Sequence, residues 1–302
     1  MMPSLNLLTT HFKHTEKLFT TTNATSAASA LCARMAAQLM SAYPQLRPET
    51  IRALIVHSAE WTDAMREIYF PADKPRTKND YANLIRHCGW GAPDLERALW
   101  SAANSLTLIV EDNVHPYKKD GSAIKTRDMN LHALPWPKDE LEALGATPVQ
   151  MRVTLSYFIE PNPSARGSAS KYHYPSHRLR FDVRHHLESE DDFLARINAA
   201  AAMEDDNQHS NPKDPDWWLG VNQRHRGSLH QDTWQGTAAD LASRGFLAVY
   251  PAMGWWRTRQ KLERYDLPAH YSLIVSIRAP ETDIDLYSAV AAKVQTPVVI
   301  SA

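Results

Sequence analysis

Cysteine is scarce in this chain, which has only Cys32 and Cys88 among 302 residues. Two cysteines are too few for the disulfide framework of a small secreted domain. The sequence also contains no apolar run long enough to span a bilayer, and we do not expect Met1 to Ser4 to begin a signal peptide. These absences predict a reducing, cytoplasmic setting and no membrane partner.

An excess of charge of either sign is lacking as well. The 33 lysines and arginines nearly balance the 34 aspartates and glutamates, for a formal net charge of -1. This balance predicts no nucleic-acid partner. A hydrophobic content of 43% with 22% charged residues is typical of a globular protein. At this length the chain can form one large domain or two ordinary ones.

The most informative stretch is Asn23 to Ala30, which has the sequence Asn-Ala-Thr-Ser-Ala-Ala-Ser-Ala. It leads into a helical pattern that carries Leu31, Met35 and Leu39 at four-residue spacing. Thr25 and Ser26 precede that pattern, where hydroxyl side chains often satisfy the free N–H groups of a first helical turn. The simplest interpretation is an ordinary helix cap. A serine there also faces the positive end of the helix dipole, which favours a developing oxyanion.

Two further helix starts follow this one in the sequence. Arg47-Pro48-Glu49-Thr50-Ile51 places a proline at the first helical position, with a glutamate behind it and an apolar face beyond. Gly89-Trp90-Gly91-Ala92-Pro93-Asp94-Leu95 indicates a glycine turn that begins a third helix. In this order, the three helix starts resemble the end of a subtilisin-like serine protease (subtilase) domain. The resemblance is clearest over residues 22–100 and extends more loosely to the end of the chain.

The family's nucleophile motif is Gly-Thr-Ser-x-Ala-x-Pro, which Thr25, Ser26 and Ala28 match. Ala24 stands where the family has glycine, and Ala30 where it has proline. The resemblance implies peptide-bond hydrolysis through an acyl-enzyme on Ser26, with the Ser26 N–H contributing to the oxyanion hole. The later part of the chain resembles the C-terminal extension of one bacterial branch, some members of which are paired with an AAA-type ATPase. The implied partners are therefore a peptide or protein substrate and such an ATPase.

The sequence lacks the rest of the family's catalytic machinery. A serine hydroxyl is a weak nucleophile unless a base accepts its proton and a carboxylate orients that base. None of the fourteen histidines is followed by glycine, as the family's His-Gly-Thr signature requires, and no Asp-Ser/Thr-Gly triplet is present. His11 and His14 are the only histidines upstream of Ser26. We expect this C-terminal portion to be inactive alone, and the rival hypothesis is a non-catalytic interaction module or an orphan fragment.

The second half of the chain alternates between apolar and polar residues. Apolar residues at every second position from Val149 to Ile159 predict a strand with one wet face. Further strands are predicted around Leu179–Val183, at 246–250, at 271–277 and at 298–300. The predicted fold is an α/β subtilase-domain remnant at 1–110, a connector at 111–144 and a mainly antiparallel β-sandwich-like domain at 145–302. Because the helix faces with Leu31, Met35, Leu54 and Ile55 are expected to lack part of their packing surface, residues 1–110 are expected to be the less stable part.

Several other patterns were weighed as sites. His173 and His177 have a metal-chelating spacing, but Pro175 between them argues against a helix, and the His185-His186 pair follows a strand; we interpret both as solvated loops. The pairs Trp217-Trp218 and Trp255-Trp256 are interpreted as buried side chains rather than a stacking platform. The acidic run Glu188–Asp192 is interpreted as a helix start rather than a calcium site. No metal or cofactor is predicted.

Two expectations concern single residues. Ser26 should lie within a residue of a helix N-terminus, partly buried, with no histidine in hydrogen-bond range. His57 should lie at a helix C-terminus, where a charged imidazole is favoured by the dipole.

Overall fold

A computed structural model describes residues 6–70, 73–103, 107–163, 174–205, 214–279 and 299–300. It divides into two compact units, Met1–Leu46 and Arg47–Ala302. This division differs from the predicted boundary at 111–144. As limits of family domains, the predicted ranges 1–110, 111–144 and 145–302 stay a prediction.

The first unit contains a hairpin and one long helix. Strand β1 (Leu7–Thr10) pairs antiparallel with β2 (Phe19–Thr22), and helix α1 follows at Thr25–Ala42. The predicted helix is confirmed, but β2 lies in a stretch for which no strand was predicted. Arg34 is the only charged residue of α1, and Leu39 is its only buried one.

Nine further helices are described in the second unit. Two of them begin with clear local signals: α2 has Pro48 at its first position and Glu49 in its first turn, and Thr77 and Asp80 form a capping box at the start of α4. Their bounds are α2 Pro48–His57, α3 Asp63–Tyr69, α4 Lys78–Cys88, α5 Leu95–Ala103, α6 Lys138–Leu144, α7 Glu190–Asp205, α8 Val221–Arg224, α9 Ala238–Ser243 and α10 Trp255–Thr258. None of the helices described is long and apolar enough to cross a membrane.

Two four-stranded sheets and a small ribbon complete this unit, and every strand pair described is antiparallel. The strand orders are β3-β11-β7-β9 and β12-β6-β10-β8, and β4 pairs with β5. The bounds are β3 Thr107–Val114, β4 Tyr117–Asp120, β5 Ala123–Thr126, β6 Asn130–Ala133, β7 Pro148–Ser156, β8 Arg178–Val183, β9 Leu229–Thr237, β10 Phe246–Ala252, β11 Ala269–Arg278 and β12 Val299–Ile300. The strands predicted in the second half are thus confirmed, within the residues described.

One hydrophobic core takes side chains from both four-stranded sheets. Alternate residues of β7 such as Met151 and Val153, and of β11 such as Leu273, lie in the same cluster as Phe181 of β8 and Val249 of β10. On its other face, β10 packs with Phe193 and Ile197 of α7. The two sheets therefore share a core, and a helix lies on the opposite face of the second one.

Helix α2 covers the outer face of the first sheet. The Arg52 side chain donates from Nε to Ser156 Oγ at 2.9 Å and from Nη2 to the carbonyl oxygens of Tyr157 at 2.6 Å and Ser228 at 2.8 Å. Leu54 is fully buried. The prediction of a wet face on β7 is therefore wrong towards its C-terminal end, where α2 shields it. The prediction that the face with Leu54 and Ile55 lacks part of its packing surface is wrong, because both side chains are buried.

The segment 111–144 was predicted to be a connector, but it contains β4, β5, β6 and α6. Tyr117, Ile124 and Trp136 within it are buried. Tyr117 Oη donates to the carbonyl oxygen of Ala252 at 2.6 Å. The expectation that this charged, proline-containing stretch forms no element is wrong, because its few apolar side chains pack against the sheets and α10.

Candidate functional site

Ser26 is the second residue of α1. The helix is preceded by Ala24 at φ −75° and ψ 161°, an extended conformation, and no side chain caps it. The expectation that Thr25 or Ser26 caps the helix is wrong, because both lie inside the first turn. Ser26 is exposed, so the expected partial burial is wrong too.

The first turn of α1 begins with N–H groups that lie outside the helical hydrogen-bond pattern. The first backbone hydrogen bonds of the helix run from Ala27 N and Ala28 N to the Ala24 carbonyl oxygen. The N–H groups of Thr25 and Ser26 therefore precede the helical hydrogen-bond pattern. The first turn has no acidic residue, so these donors and the helix dipole favour negative charge beside Ser26.

The two histidines upstream of Ser26 lie in the loop between β1 and β2. Upstream, the backbone N–H of Lys13 donates to His11 Nδ1 at 3.2 Å, a contact local to the β1–β2 hairpin, and His14 is exposed. No hydrogen bond from either ring reaches the Ser26 hydroxyl in this part of the chain. Ser26 does lie at a helix start, as expected.

A different serine does lie next to a histidine, which the sequence did not reveal. His57 Nε2 is 2.7 Å from Ser276 Oγ, and His57 Nδ1 is 2.8 Å from Thr154 Oγ1. Thr154 Oγ1 donates to Gln231 Oε1 at 2.7 Å, so it accepts from the Nδ1–H of His57. The neutral ring then accepts a hydrogen bond at Nε2 from the Ser276 hydroxyl. His57 and Ser276 are 219 residues apart, and no local signal could have joined them.

This histidine is poorly suited to act as a catalytic base. Burial, with Arg152 and Arg278 nearby, lowers the pKa of His57 well below its usual value. A general base for a serine must become imidazolium, which needs a carboxylate to stabilise it. His57 hydrogen-bonds to hydroxyls and has arginines as charged neighbours. The pair therefore fixes α2 to the sheet. His57 does end α2 as predicted, but the expected reason, a charged ring on the helix dipole, is wrong.

The histidines considered as metal ligands differ in burial: His177 is buried, so its interpretation as a solvated loop residue is wrong, whereas His186 is exposed. His173 lies outside the described residues. His177 is buried in a loop, where its pKa is lowered to about 3 by burial, and its Nδ1 lies 3.0 Å from Ser176 Oγ. His186 Nδ1 lies 2.8 Å from Ser243 Oγ. Among the residues that the structure describes, no group of three or more histidine, cysteine, aspartate or glutamate side chains could hold a metal.

The structure also places the tryptophan pairs and the acidic run. Trp217, Trp255 and Trp256 are buried, which confirms the interpretation as packing residues. Trp218 is only half-buried and stacks on Tyr81, with ring centroids 4.8 Å apart. The acidic run includes the first turn of α7, so the interpretation as a helix start is confirmed.

The predicted resemblance is confirmed by comparison with known proteins. Residues 1–91, which include Ser26, α1 and α2, match the model of the Subtilase family. An uncharacterized protein, y4bN, of Sinorhizobium fredii (strain NBRC 101917 / NGR234) is 29% identical over 171 residues. The aligned part is 56% of this chain and 34% of that protein, so the match spans about a third of the curated relative.

Proposed function

We propose that this chain, whose residues 1–91 match the Subtilase family, is the C-terminal portion of a subtilisin-like serine endopeptidase with Ser26 as its nucleophile. The observation that carries the proposal is that the matched range contains Ser26 in the first turn of α1. The architecture proposed is an α/β remnant of the catalytic domain followed by a mainly antiparallel β-sandwich-like domain. The core shared by the two sheets supports the second part.

The mechanism follows from the position of Ser26. Its hydroxyl would give its proton to a base and attack the carbonyl carbon of a peptide or protein substrate, forming a tetrahedral oxyanion. The C–N bond would then break, the amine leaving with that proton, and water would hydrolyse the resulting acyl-enzyme. The N–H groups at the start of α1, that of Ser26 included, are suited to hold the oxyanion. A base and an orienting carboxylate must come from a segment that carries the family's aspartate and histidine.

The chain alone is therefore inactive. The measurement is casein turnover by the purified chain, compared with its Ser26→Ala variant and with a mixture that contains a separately expressed subtilase segment bearing the aspartate and histidine motifs. We expect no turnover above the variant for the chain alone, and turnover that needs Ser26 in the mixture. Turnover by the chain alone that disappears in the variant would contradict inactivity, and no turnover in any mixture would contradict the role of Ser26.

The second candidate is a non-catalytic interaction module. It is favoured by one observation: Ser26 is exposed and α1 presents apolar side chains such as Leu31 and Met40 to solvent. The DNA immediately upstream discriminates between the two. If it encodes an aspartate motif and a His-Gly-Thr segment, in frame or one frame off, the protease proposal stands. Their absence favours the module.

An AAA-type ATPase partner and a cytoplasmic location complete the proposal. The ATPase comes from the resemblance to the bacterial branch, and the location is supported by Cys32 and Cys88, which are both free. Co-purification of the tagged full chain with an ATPase encoded beside it is the expected result. An ATPase that never co-purifies would remove the partner from the proposal without touching Ser26.

A further inference from the structure

A cavity of about 460 Å³ lies in the second unit, lined by residues from the α2–α3 loop, α3, α4 and the start of β7. Trp218, Gln235 and Arg278 complete it from later parts of the chain. Its volume falls in the range of small-molecule sites, which run from about 300 to 1,000 Å³. Ser26 is not among the described residues that line it, so what it binds is independent of the proposed protease function.

Arginines gather around a single carboxylate at this cavity. The Glu60 carboxylate lies 2.5 Å from Arg278 Nη2, 2.8 Å from Arg97 Nη1, and 3.6 Å from both Arg66 Nη2 and Arg152 Nη2. One carboxylate can neutralise only one of these guanidinium groups. The cluster therefore holds positive charge in excess.

The excess persists at neutral pH. Burial lowers the pKa of Arg152 to about 10, with Glu60 opposing the shift, so Arg152 remains protonated. Burial alone would raise the pKa of Glu60, but the hydrogen bond from Arg278 and the nearby guanidinium charges bring it below its usual value. Arg76, which also lines the cavity, stacks on Phe70 at 4.5 Å from its ring centroid. Four arginines and one carboxylate are thus among the described residues that line the cavity.

Aromatic side chains form another wall. The Trp61 ring stacks on Trp90 at a centroid distance of 5.7 Å and on Trp218 at 5.5 Å, and Tyr81 stacks on Trp218. Trp218 Nε1 is buried and has no hydrogen-bond acceptor among the residues described. An aromatic cluster alone is an ordinary small core. The uncompensated arginines and the unused indole donor beside it are features that a core does not need.

We propose that this cavity binds a small organic anion, with its phosphate or carboxylate group held by the arginines and its flat ring packed against the tryptophans. Guanidinium groups present donors in a planar fork that matches both oxyanions. Arg278, with 56% of its side chain exposed, keeps donors available to a ligand while it contacts Glu60. Tryptophan and tyrosine faces supply the apolar contact.

The test is titration of the full chain, followed by its intrinsic tryptophan fluorescence, because three tryptophans line the cavity. The probes are phenyl phosphate, benzoate, inorganic phosphate and the uncharged benzyl alcohol. We expect saturable binding of phenyl phosphate or benzoate that weakens with added salt, and weaker binding of the other two. The aromatic anion that binds more tightly shows whether the cavity prefers a phosphate or a carboxylate group. Absence of saturable binding by both would overturn the proposal.

Variants locate the binding in the cavity. Arg278→Gln should weaken the binding of the better aromatic anion by about tenfold or more, because it removes a charge-assisted contact. Arg278→Lys keeps the positive charge and should lose less of the binding affinity. Arg226→Gln, at an exposed arginine outside the cavity lining, is the charge-matched control and should bind as the unmodified chain does. Equal affinity in Arg278→Gln and Arg226→Gln, both folded by circular dichroism, would overturn the proposal.

Discussion

Helices α1 and α2 were predicted by the same kind of evidence, yet they have opposite surroundings. Six of the ten residues of α2 are buried, whereas Leu39 is the only buried residue among the eighteen of α1. Alanine-rich α1 has high intrinsic helix propensity and few large side chains to bury. Short α2 owes its stability to packing on a sheet, as most protein helices do. A helix pattern thus shows that a helix forms, but not how far it is covered.

The largest expected difference is between two leucines. Leu54→Ala in α2 removes a fully buried side chain and should lower the free energy of unfolding by about 2–5 kcal/mol. Leu31→Ala in α1, where the side chain is 44% exposed, should cost well under half of that. Urea unfolding followed by circular dichroism measures both. Equal losses would mean that α1 is covered in solution.

An arginine in each helix gives the next comparison. Arg52→Met keeps the aliphatic stem but removes the donors to the carbonyl oxygens of Tyr157 and Ser228, at an expected cost of about 2–3 kcal/mol. Arg34→Met, at the exposed arginine of α1, is the control and should leave the midpoint of urea unfolding unchanged. If Arg52→Met behaved like the control, the hydrogen bonds of Arg52 would not be what holds α2 on the sheet.

His57, the last residue of α2, should make the stability of the chain depend on pH. The pKa of His57 is lowered in the folded chain, so below pH 6.5 the unfolded chain binds more protons than the folded chain. The free energy of unfolding therefore decreases as the pH decreases. The loss should reach up to about 2 kcal/mol between pH 6.5 and 5 for this histidine. His57→Gln should reduce the slope of stability against pH in this window by about one proton. His14→Asn, at an exposed site in the first unit, should leave the slope as it is. An unchanged slope in His57→Gln would show that His57 is not buried neutral.

The smallest effect is a difference in thiol reactivity. Cys32 on α1 is exposed, whereas Cys88 at the end of α4 is half-buried. A maleimide reagent should modify Cys32 several-fold faster, as Cys32→Ser and Cys88→Ser variants can resolve. Slow modification of Cys32 in the native chain, restored in urea, would indicate that something covers α1.

Local chemistry accounts for the parts of the fold that the sequence predicted. The proline at the start of α2 and the alternation of β7 are signals that neighbouring residues carry. The short strand β6 was not predicted, because its four residues lie in a stretch rich in charge and proline. The packing of α2 on the sheet was not predicted either, since Arg52 and Ser228 are 176 residues apart.

The site was predictable to a similar degree. A motif placed Ser26 near a helix start, but burial depends on what lies against the helix, and that part of the expectation was wrong. The arginine cluster was missed because its members come from separate segments, with Arg152 and Arg278 each on a different strand. An arginine within an alternating strand was interpreted as part of a wet face, and nothing in the pattern linked it to Glu60.

The contacts of α2 also set the order of events during synthesis. His57 hydrogen-bonds to Ser276, and Glu60 pairs with Arg278, at separations of 219 and 218 residues. At translation rates of about 5–20 residues per second, roughly 10 to 40 s pass between making the first and last members of these pairs. Through that interval the nascent chain carries α2 without β11, one of the two strands on which it packs. A chaperone that binds exposed apolar segments would therefore have its longest opportunity at residues 48–57, well before β11 leaves the ribosome.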